Sequence, residues 1–196
     1  MSEAKRQARQ SRMTKETEID VSLRLDGPAG AEAETGVGFF DHMLQLLAHH
    51  SGIGLIIKAR GDLHVDAHHT VEDVGIVLGK TMREALGDMK GFRRFGWAIV
   101  PMQESLAQVS LDICGRPHLS FNTPSLPDKV GDFDTELVEE FLLALCNNLG
   151  MTLHVDVLRG QNAHHVIEAV FKALAKALEQ ALERREGEAP STKGCL

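Results

Sequence analysis

Hydrophobic and polar positions divide the chain into two halves with the same rhythm. From Glu18 to Asp26 apolar residues alternate, with Ile19, Val21, Leu23 and Leu25 on one face as a half-buried strand requires, and Gly27-Pro28 follows as a turn. Phe39 to His50 reads as a helix that ends at Ser51-Gly52. The run Leu55-Ile56-Ile57 predicts a strand, Gly61 a turn, Asp62 to Asp66 a short extended piece, and His69 to Leu86 a second helix. The order then returns. Strands are expected over Ser105–Ile113 and Pro117–Phe121, a helix over Thr135–Leu149, a strand over Met151–Val157, a turn at Arg159-Gly160 and a helix over His164–Arg184. This predicts an α+β fold made by internal duplication of units of about 90 residues, each an antiparallel sheet packed on two helices. The expected boundaries are a mobile leader over 1–11, a first repeat over 12–100, a second over 101–186 and a tail over 187–196.

The chemistry repeats with the fold. His68-His69-Thr70-Val71-Glu72 and His164-His165-Val166-Ile167-Glu168 share the pattern His-His-x-x-Glu, and each opens a predicted helix. Residues three and four apart lie on one helical face, so Glu72 can share a metal with His68 or His69, and Glu168 with His164 or His165. Adjacent histidines diverge by roughly 100° around the helix axis, so each pair more naturally serves two different ions. A single copy is commonly polar surface; two copies with identical spacing argue for metal. The preceding helices add His42, 26 residues before His68, and Glu140, 24 residues before His164. The candidate ligands are therefore His42, His68, His69, Glu72, Glu140, His164, His165 and Glu168, which divide into two sets of four. A nitrogen and oxygen set with open positions suits manganese or iron better than closed structural zinc. His64, His118 and His154, in extended segments without a repeated partner, read as structural, and His50 as a possible lining residue.

Composition narrows the rest. A chain of 196 residues can bury a core without staples, and Cys114, Cys146 and Cys195 are odd in number and form no Cys-x-x-Cys, which suits a reducing compartment. The charged N-terminal stretch lacks the apolar centre of a signal peptide, and no run of about 18 apolar residues occurs, so a soluble cytoplasmic protein is expected. A net charge of −7 gives no general attraction to nucleic acid. At this level the residues leave open a metal-dependent enzyme such as a binuclear metallohydrolase, a metal-storage or metal-delivery protein, and metals used only as pins between subunits.

Further segments carry a resemblance. Thr14-Lys15-Glu16-Thr17, Phe39-Phe40-Asp41-His42-Met43-Leu44, Asp66-Ala67 with the first histidine motif and Asp73, Phe92-Arg93-Arg94-Phe95-Gly96, Arg116-Pro117, Met151-Thr152-Leu153-His154, Asn162-Ala163 with the second motif, and Pro190-Ser191-Thr192-Lys193-Gly194 together resemble imidazoleglycerol-phosphate dehydratases over nearly the whole chain. The resemblance implies a duplicated fold of the ribosomal-protein S5 domain 2 type. It also implies a homo-oligomer of 24 copies, with two manganese ions in each active site at a subunit interface. The implied reaction is dehydration of D-erythro-imidazoleglycerol phosphate to imidazole acetol phosphate in histidine biosynthesis. Such a step deprotonates a weak carbon acid beside the imidazole and needs an electron sink; metal binding makes the ring easier to ionise to imidazolate, whose electrons expel hydroxide through a diazafulvene-like intermediate.

The resemblance further implies Glu16 as acid/base, with Glu72 and Glu168 as alternative bases. It assigns the phosphate to Arg94, Arg116, Lys172, Ser191 and Lys193, with the tail closing over the substrate. Gln45 and His50 would touch substrate beside His42, His68, His69 and His164. The family usually has histidine where this chain has Glu140, a carboxylate that remains a competent ligand but adds negative charge.

Overall fold

The structure is a computed structural model that describes residues 5–185. Its first unit contains β1 (Gln7–Met13), β2 (Thr17–Arg24), β3 (Gly30–Glu34), α1 (Gly38–Ser51), β4 (Gly54–Gly61) and α2 (His68–Leu86). The second contains β5 (Phe95–Met102), β6 (Ser105–Ile113), β7 (His118–Asn122), β8 (Lys129–Val130), β9 (Phe133–Asp134), α3 (Leu137–Leu149), β10 (Met151–Arg159) and α4 (Ala163–Leu182). The sheets have the orders β1-β2-β4-β3 and β5-β6-β10-β7, so the duplication is complete at the level of topology, and β8-β9 is an added hairpin of the second unit.

Several expectations change here. Residues 7–11, expected in a mobile leader, belong to β1, because Gln7 to Met13 pair antiparallel with Arg24 to Glu18. Polar side chains outnumber apolar ones along β1, so its place at the sheet edge is a matter of backbone pairing that hydropathy does not report. The expected boundary at residue 100 falls inside β5, which pairs with β6 and so belongs to the second sheet. The sheets are mixed rather than antiparallel, since β3 runs parallel to β4 and β7 parallel to β10. Asp62 to Asp66 is a turn closed by Val65 N–H donating to the Asp62 carbonyl at 2.8 Å, not an extended piece.

Helices fill the space between the two sheets. The α2 helix lies on β1 and β2, α4 on β5 and β6, and across the units α2 packs on α3 and α1 on α4. Alternation along β2 and β6 turns Ile19, Val21, Leu23, Ala107, Val109 and Leu111 into this layer, where Phe40, Phe141 and Phe171 form a chain of ring contacts. Each such ring contributes about 1.5–3 kcal/mol by leaving water. The α2–α3 seam is tight because Gly75 and Gly79 stand one turn apart on α2. A Cβ on Gly75 would meet the Ala144 Cβ and the Phe141 carbonyl oxygen, each at 2.9 Å. The opposing arrangement of α1 with α4 and α2 with α3 brings the two halves' candidate ligands to corresponding places.

Candidate functional site

In both histidine motifs a preceding side chain accepts from the backbone N–H of the first histidine. The Asn162 side-chain oxygen accepts from the His164 N–H at 2.9 Å, and Asp66 accepts from the His68 N–H at 2.8 Å. These bonds fix where each first turn starts and hence where the imidazoles leave the helix. Within each pair the rings diverge as expected, with centroids 6.2 Å apart in His68/His69 and 6.1 Å in His164/His165.

One metal-capable cluster is complete enough to see among the described residues. Donor atoms of His42 on α1 and of His164 and Glu168 on α4 all lie within 4.8 Å of one another. His164 Nε2 is 3.2 Å and His42 Nε2 4.0 Å from Glu168 Oε2. Lys172 Nζ binds the other carboxylate oxygen, Oε1, at 2.6 Å. Burial alone would raise the Glu168 pKa, but the hydrogen bond and charge of Lys172, with the nearby imidazoles, outweigh it and hold the carboxyl below its ordinary range. Glu168 therefore stays ionised with Oε2 facing two imidazoles. This donor set of two nitrogens and one oxygen fits a divalent ion such as manganese.

The corresponding set in the other half is looser. His68, Glu72 and Glu140 occupy on α2 and α3 the places that His164, Glu168 and His42 occupy on α4 and α1, but they do not form a cluster of the same tightness among the described residues. Two carboxylates there replace one carboxylate and one imidazole, and like charges repel without a cation.

The second histidine of each pair is engaged elsewhere. His69 Nδ1 lies 3.0 Å from Asp62 Oδ2, and this hydrogen bond, outweighing burial, raises the imidazole pKa with help from Glu16 and Asp66. His165 Nδ1 lies 2.8 Å from Glu104 Oε2. Glu104 also accepts from the backbone N–H groups of Asn162 at 3.0 Å and Gln161 at 3.4 Å, and these bonds together with His165 lower its pKa to about 2. Neither Asp62 nor Glu104 carries a sequence signal: Glu104 is 61 residues from His165 and lies in a hairpin turn. The only local hints were Asp66 and Asn162, each two residues ahead of its histidine pair.

The remaining expected residues are distributed as follows. Glu16 is exposed in the β1–β2 turn, on a rim shared with Asp62, His64 and Arg60. That turn is anchored to α2 through Asp73, which receives Arg12 Nε at 2.8 Å and the Thr17 hydroxyl. Gln45 is exposed one turn beyond His42 on α1. His50, half-buried, has its pKa lowered by burial first, then by His49, Lys172 and Lys176. Arg116 is exposed after β6, with its carbonyl held by the Thr152 hydroxyl at 2.8 Å.

Arg94, expected among the phosphate cations, is held by an ion pair with Asp112. It is buried, has φ +76°, and binds Asp112 Oδ1 at 2.5 Å and Oδ2 at 2.8 Å. Its charge is already balanced inside the second sheet. Ser191 and Lys193, and the whole expected tail over 187–196, lie outside the described residues. No described helix is long and apolar enough to cross a membrane.

Comparison with known proteins agrees with this arrangement. The sequence model described as imidazoleglycerol-phosphate dehydratase matches residues 35–178. The curated imidazoleglycerol-phosphate dehydratases of Azorhizobium caulinodans and Granulibacter bethesdensis are 54% and 56% identical over 194 residues, covering 97% of this chain and 98% and 99% of theirs. The crystal structure of the Staphylococcus aureus enzyme superimposes with a TM-score of 0.82 at 46% identity, covering 91% of this chain and 99% of that one. That of the Pyrococcus furiosus enzyme in complex with (S)-C348 gives 0.84 at 40% identity, covering 95% and 100%. With the family's sequence model spanning most of the chain and near full-length relatives above half identity, this chain belongs to the imidazoleglycerol-phosphate dehydratase family.

Proposed function

We propose that this chain dehydrates D-erythro-imidazoleglycerol phosphate to imidazole acetol phosphate with two divalent ions, manganese by donor chemistry, at sites completed between copies of the chain. The hydro-lyase activity on a phosphorylated imidazole in histidine biosynthesis follows from family membership; the metals, the assembly and the residue roles are the proposed part. The observation that carries it is the convergence of His42, His164 and Glu168, three donors within 4.8 Å of one another. His68, Glu72 and Glu140 make the corresponding set by the internal duplication. His69 and His165 are held through Nδ1 by Asp62 and Glu104 and lie outside the His42–His164–Glu168 cluster, which suits donors offered to a neighbouring copy, up to the 24-mer that the resemblance implies. The ions would supply Lewis acidity that turns the substrate's imidazole into an electron sink.

The protein's own groups then hold and move protons. Glu16, exposed on the rim near His69, exchanges a proton with the substrate carbon, while Glu72 and Glu168 serve as ligands and as alternative bases. As the proton leaves and the ring electrons expel hydroxide, the substrate passes through a diazafulvene-like state. Gln45 and His50 line the α1 side of the site, and Arg116, Lys172, Ser191 and Lys193 neutralise the phosphate. Arg94, oriented by Asp112, joins them in holding the phosphate. The expected cytoplasmic location is retained as part of the proposal.

The test is to strip the protein with chelator, restore manganese and follow the ketone product from imidazoleglycerol phosphate by its absorbance in alkali. Metal-dependent turnover that is lost in H164A, and in E16Q with metal binding intact, is expected. Turnover undiminished after complete metal removal would overturn the proposed metal role.

A further inference from the structure

Two of the four repeated histidines are held by carboxylates from outside their helices. Asp62, at the turn after β4, meets His69 Nδ1 at 3.0 Å, and Glu104, in the β5–β6 turn, meets His165 Nδ1 at 2.8 Å. These are different places in the repeat, so the duplication did not impose the pairing. The same ring nitrogen is nevertheless engaged both times. Among the described residues Nε2 of neither ring has a hydrogen-bond partner, whereas Nε2 of His164 faces Glu168.

We propose that Asp62 and Glu104 are positioning residues, which fix the tautomer and orientation of His69 and His165 so that each presents a bare Nε2 to a divalent ion. The inference rests on the metal reading above. Its logic is chemical. An ionised carboxylate only accepts hydrogen bonds, so a neutral imidazole against it carries its proton on Nδ1 and keeps the Nε2 lone pair free. The partner also stops the ring from turning and increases its basicity as a ligand.

Glu104 is suited to this because it is not a loose side chain. Its Oε1 receives the backbone N–H groups of Asn162 and Gln161, which directly precede the histidine pair, while Oε2 receives the ring. The β5–β6 turn is thereby tied to the first turn of α4, and the ring and the helix start are set by one carboxylate. In the other half the backbone bond and the clamp are split, with Asp66 on the His68 N–H and Asp62 on the His69 ring.

E104Q separates clamp from charge. The glutamine oxygen can retain the backbone donors, which leaves its NH2 facing His165 Nδ1. That nitrogen must then accept, the proton moves to Nε2, and the metal-facing position is blocked. Solid-state 15N NMR of sedimented, metal-free protein labelled at the histidine rings, at pH ~9 where imidazole is neutral, reads the tautomer directly. The signal that disappears in H165Q is expected to change from the Nδ1–H to the Nε2–H form in E104Q and to keep the Nδ1–H form in E104D. Manganese titration by calorimetry is expected to show affinity reduced by about 10–100-fold in E104Q, with D62N acting likewise on His69. Loss of affinity in H165A but not in E104Q would overturn the positioning role and leave the metal reading standing. An unchanged tautomer in E104Q would overturn it as well. No effect of H165A on affinity would instead overturn the metal reading.

Discussion

The spacing of α2 from α3 sets how His68 and Glu72 stand relative to Glu140, and Gly75 sets that spacing. In G75A the new methyl would lie 2.9 Å from both the Ala144 Cβ and the Phe141 carbonyl oxygen, with Phe141 Cδ2 at 3.3 Å. Favourable carbon contacts lie near 3.5–4.0 Å, so the helices must part by roughly 0.5–1 Å. The carbonyl belongs to α3 itself and cannot rotate aside. Overpacking of this kind costs about 1–3 kcal/mol, and two short contacts argue for the upper half of that range. Replacing glycine inside a helix returns about 1 kcal/mol. The net expectation is a loss of ~1–2 kcal/mol, or about 2–8 °C in melting temperature for a chain of this size. Thermal and urea unfolding of metal-free G75A should show it, and A144G on that background should recover part of it by removing one of the two contacts. G38A is the control, because no atom lies within 4 Å of its Cβ position. A melting temperature for G75A at or above the parent's would mean that the seam yields freely and that Gly75 does not set the helix distance.

Further expectations concern charge and access. E168Q should weaken manganese binding by at least 10-fold by calorimetry, since it removes the anionic donor facing His42 and His164 and leaves Lys172 unpaired; unchanged affinity would refute the ligand role. Hydrogen bonds from Arg6, with Arg184, hold the Asp26 carboxyl far below its ordinary range despite opposing burial. A depressed native pKa stabilises the fold above the unfolded value of about 3.9 and is lost as pH falls through the native one. D26N should therefore melt below the parent at neutral pH, with the gap closing as pH falls below about 4; a gap independent of pH would refute the assignment. Burial pushes the Cys146 thiol up to about 12. Its alkylation at pH ~8, followed by peptide mass mapping, should track global unfolding, and rapid labelling of the native protein would contradict its burial.

Much of this molecule was legible in the sequence, for reasons of period and repetition. Alternation located β2 and β6, the core helices fell within a few residues of their expected spans, and the identical spacing of the two histidine motifs revealed both the duplication and the histidine-bearing helix starts. These are local properties: side-chain direction follows from the period of the element. The edge strands β1 and β3 escaped because they are held by backbone pairing to a neighbour rather than by a strongly apolar face of their own, and β5 because its unbroken apolar run shows no alternation. The family resemblance supplied the roles of Glu16 and the phosphate cations, which no periodicity contains.

Tertiary structure decided what meets what. Only the crossing of α1 over α4 brings His42 to His164 and Glu168, residues more than a hundred positions apart. Only the return of the β5–β6 turn to the start of α4 gives His165 its carboxylate, and only the fold withdraws Arg94 into a pair with Asp112. A sequence determines which face a side chain occupies; partners at long range depend on how faces dock, and there the geometry of packing, absent from any local pattern, chooses which donors converge.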